Sequence, residues 1–234
     1  MYKNMWKNLL DLFVPNHCAG CDETLIESEH ILCMSCYHKL DFIPIGQSGN
    51  HDIIDHQFFG KVSINKACGL LYYDKSEGIT QNIIKNLKYK GREDVGDFLA
   101  ELSWQRFKET SLFKEIEFLC CVPLHPRKLK QRGYNQLHRF CNKISQLSGI
   151  PFRSDLLVRN FYEQSQTRKN IFNRSIAKKE KFSFRPNLIK PDSNILLIDD
   201  VITTGSTMEQ VIKAIRQHHT GDISVLCMAS TYND

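Results

Sequence analysis

The chain has 234 residues, of which 24% are charged, and its formal net charge is +5. This length allows one substantial core of roughly 150 to 200 residues with a small appendage, or one large domain. The composition is that of an ordinary globular protein, and it excludes collagen-like, low-complexity and repeat architectures.

The first segment, residues 1–18, carries apolar side chains at helical spacing, among them Trp6 and Phe13. Lys7 and Asp11 interrupt the apolar run, which is too short for a signal peptide or a membrane span. We therefore expect an amphipathic helix that packs on the body of the protein. No later segment approaches the length of a membrane span, so we expect a cytoplasmic protein without membrane insertion.

Two Cys-x-x-Cys pairs come next, separated by eleven residues: Cys18, Cys21, Cys33 and Cys36. Four thiolates at this spacing predict one tetrahedral Zn²⁺ site, which is structural because no coordination position stays open. A redox dithiol is the alternative, but it usually has a single Cys-x-x-Cys at a helix start. The five other cysteines are expected to be small buried apolar residues: Cys68, Cys120, Cys121, Cys141 and Cys227.

Buried strands alternate with helices in the rest of the chain. In chain order we expect a hairpin or paired strands over 61–74, helices over 78–91 and 94–110, a strand over 117–124, a helix over 135–149, a strand over 193–200, a helix over 206–219 and a last strand over 222–230. This alternation is typical of an α/β fold, a twisted parallel sheet flanked by helices.

The stretch 195–207, ILLIDDVITTGST, places two acids at the end of a buried strand. In an open parallel sheet, ligands bind beyond the carboxyl ends of the strands, so Asp199 and Asp200 are expected where a ligand lies. The turn over 201–206 leads into a helix whose N-terminal amides and dipole favour a phosphate. Gly205 allows close approach of the backbone, and hydroxyl donors surround it: Thr203, Thr204, Ser206 and Thr207.

A sugar phosphate satisfies both halves of this stretch, with its phosphate in the turn and its cis-diol on the acids. The structural alternative is a capped helix preceded by two acids, although burying acids without a ligand is costly. A Walker-type nucleotide loop is excluded, because the Gly-Lys-Ser/Thr sequence is missing.

The middle of the chain, residues 123–185, contains fifteen Lys or Arg against three acids. Such a charge indicates anionic partners, namely phosphorylated metabolites or nucleic acid, or else a solvated basic surface. Cations crowd the expected loop 123–133, which follows a buried strand: Arg127, Lys128, Lys130 and Arg132. The turn 88–92 contributes Lys90 and Arg92, either to a phosphate or to a helix C-terminus. Aromatic residues interleave with cations over 153–185, as in a substrate lid or a contact with single-stranded nucleic acid.

The stretch 195–207 resembles the phosphoribosyl-pyrophosphate loop of the type I phosphoribosyltransferases. The resemblance extends to the ComF family through three further features. They are LKYKGRED (87–94), VPLHPRKLKQRGYNQ (122–136) and the CAGC and CMSC pairs. These are phosphoribosyltransferase-like proteins linked to competence and DNA uptake, usually with a four-Cys zinc finger. Domains are expected over 1–45 (helix and zinc finger) and 46–234 (α/β domain), the latter divided into a hood-like part, 46–115, and a core, 116–234.

The resemblance implies roles for individual residues. Asp199 and Asp200 would hold the ribose 2′- and 3′-hydroxyls, and residues 203–207 the 5′-phosphate. The loop 123–133 would contact the pyrophosphate, which Mg²⁺ would bridge to the diol. The pyrophosphate contacts are expected from five cations: Arg127, Lys128, Arg132, Lys90 and Arg92. The family pattern identifies no catalytic side chain and no acceptor.

Two kinds of function remain open. One is a phosphoribosyltransferase, a pentosyl-transferring enzyme that uses phosphoribosyl pyrophosphate and Mg²⁺, with nucleobase salvage as a variant. The other is a non-catalytic accessory of DNA uptake that binds single-stranded DNA with its basic face and zinc finger, in contact with a competence helicase. A glutamine-dependent amidotransferase is excluded, because Tyr2 stands where an N-terminal cysteine nucleophile is required.

Overall fold

A computed structural model of the chain describes residues 16–45, 54–73, 78–160 and 180–231. The expected N-terminal amphipathic helix lies outside these residues. The centre of the basic segment, 161–179, lies outside them as well, so its expected role as a lid or a nucleic-acid contact stays a prediction. Within the described ranges, no helix combines the length and the apolarity that crossing a bilayer requires.

Four parallel strands form the central sheet in the order β1-β6-β5-β2. They are β1 (Lys66–Tyr72), β2 (Phe118–Cys121), β5 (Ile195–Ile202) and β6 (Ile223–Ser230). Every residue of β6 and the first four residues of β5 are buried, as expected for a parallel sheet covered on both faces. The predicted parallel sheet flanked by helices is confirmed, and so are the strands predicted over 117–124, 193–200 and 222–230.

The hairpin or paired strands predicted over 61–74 do not occur in its described part, residues 61–73. This segment contains a single strand, β1, which pairs in parallel with β6 so that Cys68 lies opposite Leu226. The five central residues of β1 are all buried. Alternating apolar residues indicate a strand, but they do not identify its partner, and here the partner comes from the far end of the chain.

Six helices occur in the described part of the chain: α1 (Met34–His38), α2 (Ile79–Tyr89), α3 (Asp94–Phe107), α4 (Pro126–Arg132), α5 (Gln136–Ser148) and α6 (Ser206–Arg216). The four longer helices predicted from apolar periodicity, α2, α3, α5 and α6, are confirmed. α2 buries Ile83, Ile84 and Leu87, and α5 ends at Gly149, whose φ of 77° is left-handed. Ion pairs at 2.8 Å (Arg139–Asp97) and 2.6 Å (Lys143–Glu101) join α5 to α3.

Helix α4 replaces much of the loop expected over 123–133. His125 caps it by accepting the Arg127 N–H at 3.1 Å, Pro126 opens it, and Gly133 ends it with a φ of 79°. None of its residues is buried. An amphipathic pattern therefore could not predict this helix, because it has no apolar face.

Two short antiparallel strands, β3 (Leu157–Arg159) and β4 (Phe182–Phe184), flank residues 161–179. Their pairing was not predicted. The Arg159 guanidinium lies 5.4 Å from the centroid of the Phe182 ring. The pairing of β3 with β4 therefore positions Arg159 just before residues 161–179.

Candidate functional site

Strand β5 continues two residues beyond its predicted end. Asp199 lies opposite Cys227 of β6, and Ile202 lies opposite Ser230. The acids therefore stand within the last half of the strand, and the turn expected over 201–206 begins only at Thr203. Because neighbouring strand residues point to opposite faces, Asp199 and Asp200 have different surroundings.

Both carboxylate oxygens of Asp200 have a hydrogen-bond donor. The Lys88 ammonium lies 2.8 Å from Oδ1, and the Gln136 side-chain amide donates to Oδ2 at 2.6 Å. Asp200 is buried, with 8% of its surface exposed. A buried acid is stable when it is paired and hydrogen-bonded in this way.

Asp199 is held by fewer hydrogen bonds than Asp200. One of its carboxylate oxygens accepts the backbone N–H of Asp200 at 2.8 Å. Burial, and then the charge of Asp200, hold the pKa of Asp199 well above its usual range, while the backbone N–H and Lys88 act in the opposite direction. Burial therefore favours the protonated form of Asp199, whereas Asp200 has two side-chain hydrogen-bond donors.

The loop 203–207 and the first turn of α6 surround a cavity of about 40 Å³, which Asp199 also lines. Gly205 adopts a φ of 72° and precedes α6 without a side-chain cap, so the amides of the first turn face the cavity as potential donors. All four hydroxyl residues of the loop are exposed. The Thr231 hydroxyl holds the loop by donating to the Thr203 carbonyl at 3.0 Å.

A second cavity of about 210 Å³ adjoins the first, and both acids line it. Asp199, Val201 and Thr207 line both cavities, so the two lie side by side. Four cations line the larger one: Lys88, Lys128, Arg132 and Arg159. The structure thus brings together the predicted acids, the hydroxyl loop and two of the predicted cations.

The other predicted cations do not line this cavity. Lys90 lies 3.3 Å from Asp22, and Arg92 contacts Asp94 at 2.8 Å and the His17 carbonyl at 2.8 Å. Lys90 and Arg92 therefore contact groups outside this cavity, and their expected contacts with a pyrophosphate stay a prediction. Arg127 is likewise absent from the residues that line the cavity.

The segments 87–90 and 132–136, which are distant in sequence, are joined beside the cavity. The Tyr134 hydroxyl donates to the Leu87 carbonyl, and the Arg132 guanidinium lies 4.9 Å from the centroid of the exposed Tyr89 ring. Arg132 also donates to the Gln136 side-chain oxygen at 2.9 Å. These contacts place Lys88 and Gln136 on either side of Asp200.

The four cysteines of the two Cys-x-x-Cys pairs converge, and their sulfurs all lie within 4.8 Å of one another. The Cys21 and Cys33 sulfurs are 3.8 Å apart, which matches the edge of a tetrahedron with Zn–S bonds of about 2.3 Å. The Cys18 sulfur accepts N–H groups of Gly20 and Cys33, both at 3.3 Å. Burial raises the pKa of Cys18, but hydrogen bonds from the backbone N–H groups of Cys33, Cys21 and Gly20, with one from the Cys21 side chain, outweigh it and lower that pKa to about 7. The cluster could hold a metal ion such as zinc.

The four-Cys module is attached to helix α2. Asn82 donates its side-chain amide to the Gly20 carbonyl at 2.8 Å, and Asn86 donates to the Ala19 carbonyl at 3.0 Å. A side chain at Gly20 would lie 2.8 Å from the Cys36 sulfur, which explains the glycine. The same helix carries Lys88, so the module and the acid pair share one support.

Sequence reasoning missed Gln136, Asn82 and Asn86. Gln136 could have been noticed as a buried amide in the first turn of a helix that follows the basic loop. The two asparagines give no sequence signal, because an Asn on a helix is ordinarily solvated and its partner carbonyls lie more than 60 residues away.

The described residues offer no cage for Mg²⁺ at the acids. The four cysteines are the one group of three or more His, Cys, Asp or Glu side chains, within the described ranges, that could surround an ion. A divalent cation at Asp199 and Asp200 would need the ligand to supply most of its oxygens.

No protein-family model matches the chain. The chain is 26% identical over 236 residues to competence protein F of Haemophilus influenzae. The alignment covers 93% of this chain and 98% of that protein. It is 24% identical over 152 residues to the DNA utilization protein YhgH of Salmonella typhimurium, covering 64% and 66% of the two chains.

Among solved structures, the glutamine phosphoribosylpyrophosphate amidotransferase from B. subtilis, complexed with ADP and GMP, aligns with 62% of this chain and 30% of that chain. The identity is 15% and the TM-score is 0.41. A likeness of this size supports no statement about the chain. The match to competence protein F spans nearly the whole of both proteins, and with the four-Cys cluster it confirms that the chain resembles the ComF family.

Proposed function

We propose that the chain binds phosphoribosyl pyrophosphate, or a related sugar phosphate, at the carboxyl edge of its parallel sheet. One observation carries the proposal: a cavity of about 210 Å³ is lined by two adjacent acids and four cations, and it opens directly onto the hydroxyl loop. A pentose phosphate is a ligand that needs hydrogen-bond acceptors for its diol and donors for its phosphate in adjoining parts of one site.

The roles follow from position. Asp199 and Asp200 accept hydrogen bonds from the ribose hydroxyls, and the amides and hydroxyls of 203–207 donate to the 5′-phosphate. Lys128 and Arg132, which line the cavity, face a pyrophosphate on C1, and Arg127 on the same helix is a further candidate for this contact. With phosphoribosyl pyrophosphate bound, Mg²⁺ would neutralise charge between the diol and the pyrophosphate.

Transfer of the ribosyl phosphate is the reaction that this arrangement would favour. The C1–O bond to pyrophosphate breaks, the electron pair leaves with the pyrophosphate, and a nucleophile bonds to C1. Cations that face the leaving group stabilise the charge that grows on it. The acceptor is not indicated by any residue, and a nucleobase is one chemical class to test.

The test is a calorimetric titration with phosphoribosyl pyrophosphate and Mg²⁺. We expect the double variant Asp199→Asn/Asp200→Asn to lose at least about tenfold in affinity. Asp192→Asn, an exposed acid just before β5, serves as the control. Equal affinity in all three proteins would contradict the site assignment. A nucleobase panel with pyrophosphate detection then separates a transferase from a binding protein.

For the four cysteines we propose a structural Zn²⁺. The observed sulfur spacing supports it, and a metal would supply folding energy that so small a module cannot gain from its own core. We retain the expected division into a module over 1–45 and an α/β domain over 46–234 as part of this proposal.

A second function, binding of single-stranded DNA in DNA uptake, is favoured by the surface of α4. None of the seven residues of this helix is buried, four are Lys or Arg, and Tyr89 beside it is 70% exposed. Cations next to an exposed aromatic ring are typical of surfaces that hold a strand by phosphate contacts and base stacking. A competence helicase would be the partner in such a role. Fluorescence anisotropy of a labelled oligonucleotide over a range of salt concentrations measures it.

A further inference from the structure

We infer that Lys88 supplies, at the acid pair, the positive charge that a divalent cation would otherwise provide, so that the pocket binds a ribose phosphate without Mg²⁺. The inference rests on the proposed sugar-phosphate site and concerns its cation requirement. It also makes Lys88 a positioning residue for Asp200, a role that the sequence did not assign.

The geometry of the pair is the first support. The Lys88 ammonium lies 2.8 Å from Asp200 Oδ1, and the two side chains are only 19% and 12% exposed. An ion pair with so little solvent around it is screened much less than a surface pair. Lys88 therefore compensates one of the two negative charges that the acids could carry.

The remaining acid oxygens are poor ligands for a metal. Asp200 Oδ2 accepts from Gln136, and one oxygen of Asp199 accepts the Asp200 N–H, so three of the four carboxylate oxygens already have a donor. Mg²⁺ demands nearly octahedral oxygen coordination and does not readily give up its water. A second cation at this pair would also stand beside the Lys88 ammonium. The residues present at the acids thus do not fit a resident Mg²⁺.

Lys88 is held in place from its backbone. The Leu87 carbonyl accepts the Tyr134 hydroxyl, and the Leu87 side chain is fully buried. Asn82 and Asn86 tie the same helix to the four-Cys module. An ammonium on a rigidly supported helix can act as a fixed counter-charge, since the cost of ordering it is met during folding.

A pentose phosphate without pyrophosphate isolates this effect, because it has no diphosphate to bring its own Mg²⁺. We therefore titrate the protein with ribose 5-phosphate by calorimetry, once in chelator-free buffer without added Mg²⁺ and once in excess Mg²⁺. Four proteins are compared: the wild type, Lys88→Met, Lys88→Arg and Lys85→Met. Lys85 is an exposed lysine on the same helix and serves as the matched control.

We expect the wild type, Lys88→Arg and Lys85→Met to bind equally well with and without Mg²⁺. Lys88→Met is expected to lose about tenfold in affinity without Mg²⁺ and to regain part of this affinity in Mg²⁺. A wild-type affinity that is about tenfold lower without Mg²⁺ than with it would overturn the inference and leave the sugar-phosphate site standing. Absence of ribose 5-phosphate binding under both conditions would overturn the proposed function as well.

Folding of Lys88→Met is checked by its thermal transition. If that variant does not fold, the wild type and Lys88→Arg decide the question. Metal-independent binding by both supports the inference, and a Mg²⁺ requirement in either one overturns it.

Discussion

Asn86 of helix α2 donates a hydrogen bond of 3.0 Å to the backbone carbonyl of Ala19, in the first Cys-x-x-Cys pair. Two residues further along the same helix, Lys88 reaches Asp200. The four-Cys module and the acid pair are therefore linked through one rigid helix. If the pocket binds a sugar phosphate as proposed, loosening the four-Cys module should weaken the binding of that ligand.

The variant Asn86→Ala tests the link. It leaves the buried Ala19 carbonyl without its side-chain donor, which should lower the free energy of unfolding by about 1–3 kcal/mol. We also expect weaker binding of ribose 5-phosphate, because Lys88 loses its support. Urea unfolding and calorimetry measure the two effects. Lys85→Ala, on the exposed face of α2, should change neither, and unchanged ligand affinity in Asn86→Ala would argue against the link.

The metal content of the four-Cys module is open to direct measurement. We expect about one Zn²⁺ per chain by elemental analysis, because four thiolates at this spacing complete one tetrahedral shell. Cys18→Ser should lose the metal and lower the thermal transition, whereas Cys68→Ala, a buried cysteine outside the cluster, should retain the metal. Metal-free protein from a preparation without chelator would refute the zinc proposal.

The raised pKa of Asp199 predicts a pH dependence of stability. An acid whose pKa is higher in the folded state than in the unfolded state stabilises the fold fully below its ordinary value of 3.8, and this stabilisation is lost as the pH rises toward the raised value. The free energy of unfolding should fall by at most about 1.4 kcal/mol per pH unit in that window. Asp199→Asn should flatten the decline and be more stable than the wild type at neutral pH.

Urea unfolding at several pH values from about 4 to about 7 measures how steeply the free energy of unfolding falls with pH. Asp192→Asn, exposed and remote from the pocket, should keep the wild-type slope. A slope that persists unchanged in Asp199→Asn would show that another group is responsible.

Lys128 and Lys130 form a matched pair on α4, because Lys128 lines the larger cavity and Lys130 is absent from its lining. If the helix serves the sugar-phosphate pocket, Lys128→Met should weaken binding of phosphoribosyl pyrophosphate several-fold and Lys130→Met should not. If α4 instead contacts a DNA strand, both variants should weaken oligonucleotide binding alike and flatten its salt dependence. Calorimetry and anisotropy on the same three proteins therefore distinguish the two functions.

The parallel sheet, the longer helices and the acid pair could be predicted, because apolar periodicity and a strand-acid-glycine pattern are local signals. Helix α4 could not, since it buries no side chain and its start depends on the His125 cap. The pairing of β1 with β6 and the donors to Asp200 depend on contacts between residues far apart in the chain. For the same reason Lys90 and Arg92 were expected in the pocket, although the nearby acid and carbonyl groups at 17–22 and 94 bind them elsewhere.

The most direct test of the sugar-phosphate site is a crystal structure with ribose 5-phosphate bound. We predict the phosphate against the amides of 203–207 and the ribose hydroxyls within hydrogen-bond distance of Asp199 and Asp200. A ligand bound elsewhere, with Asp200 still closed off by Lys88 and Gln136 and no sugar near either acid, would contradict the account.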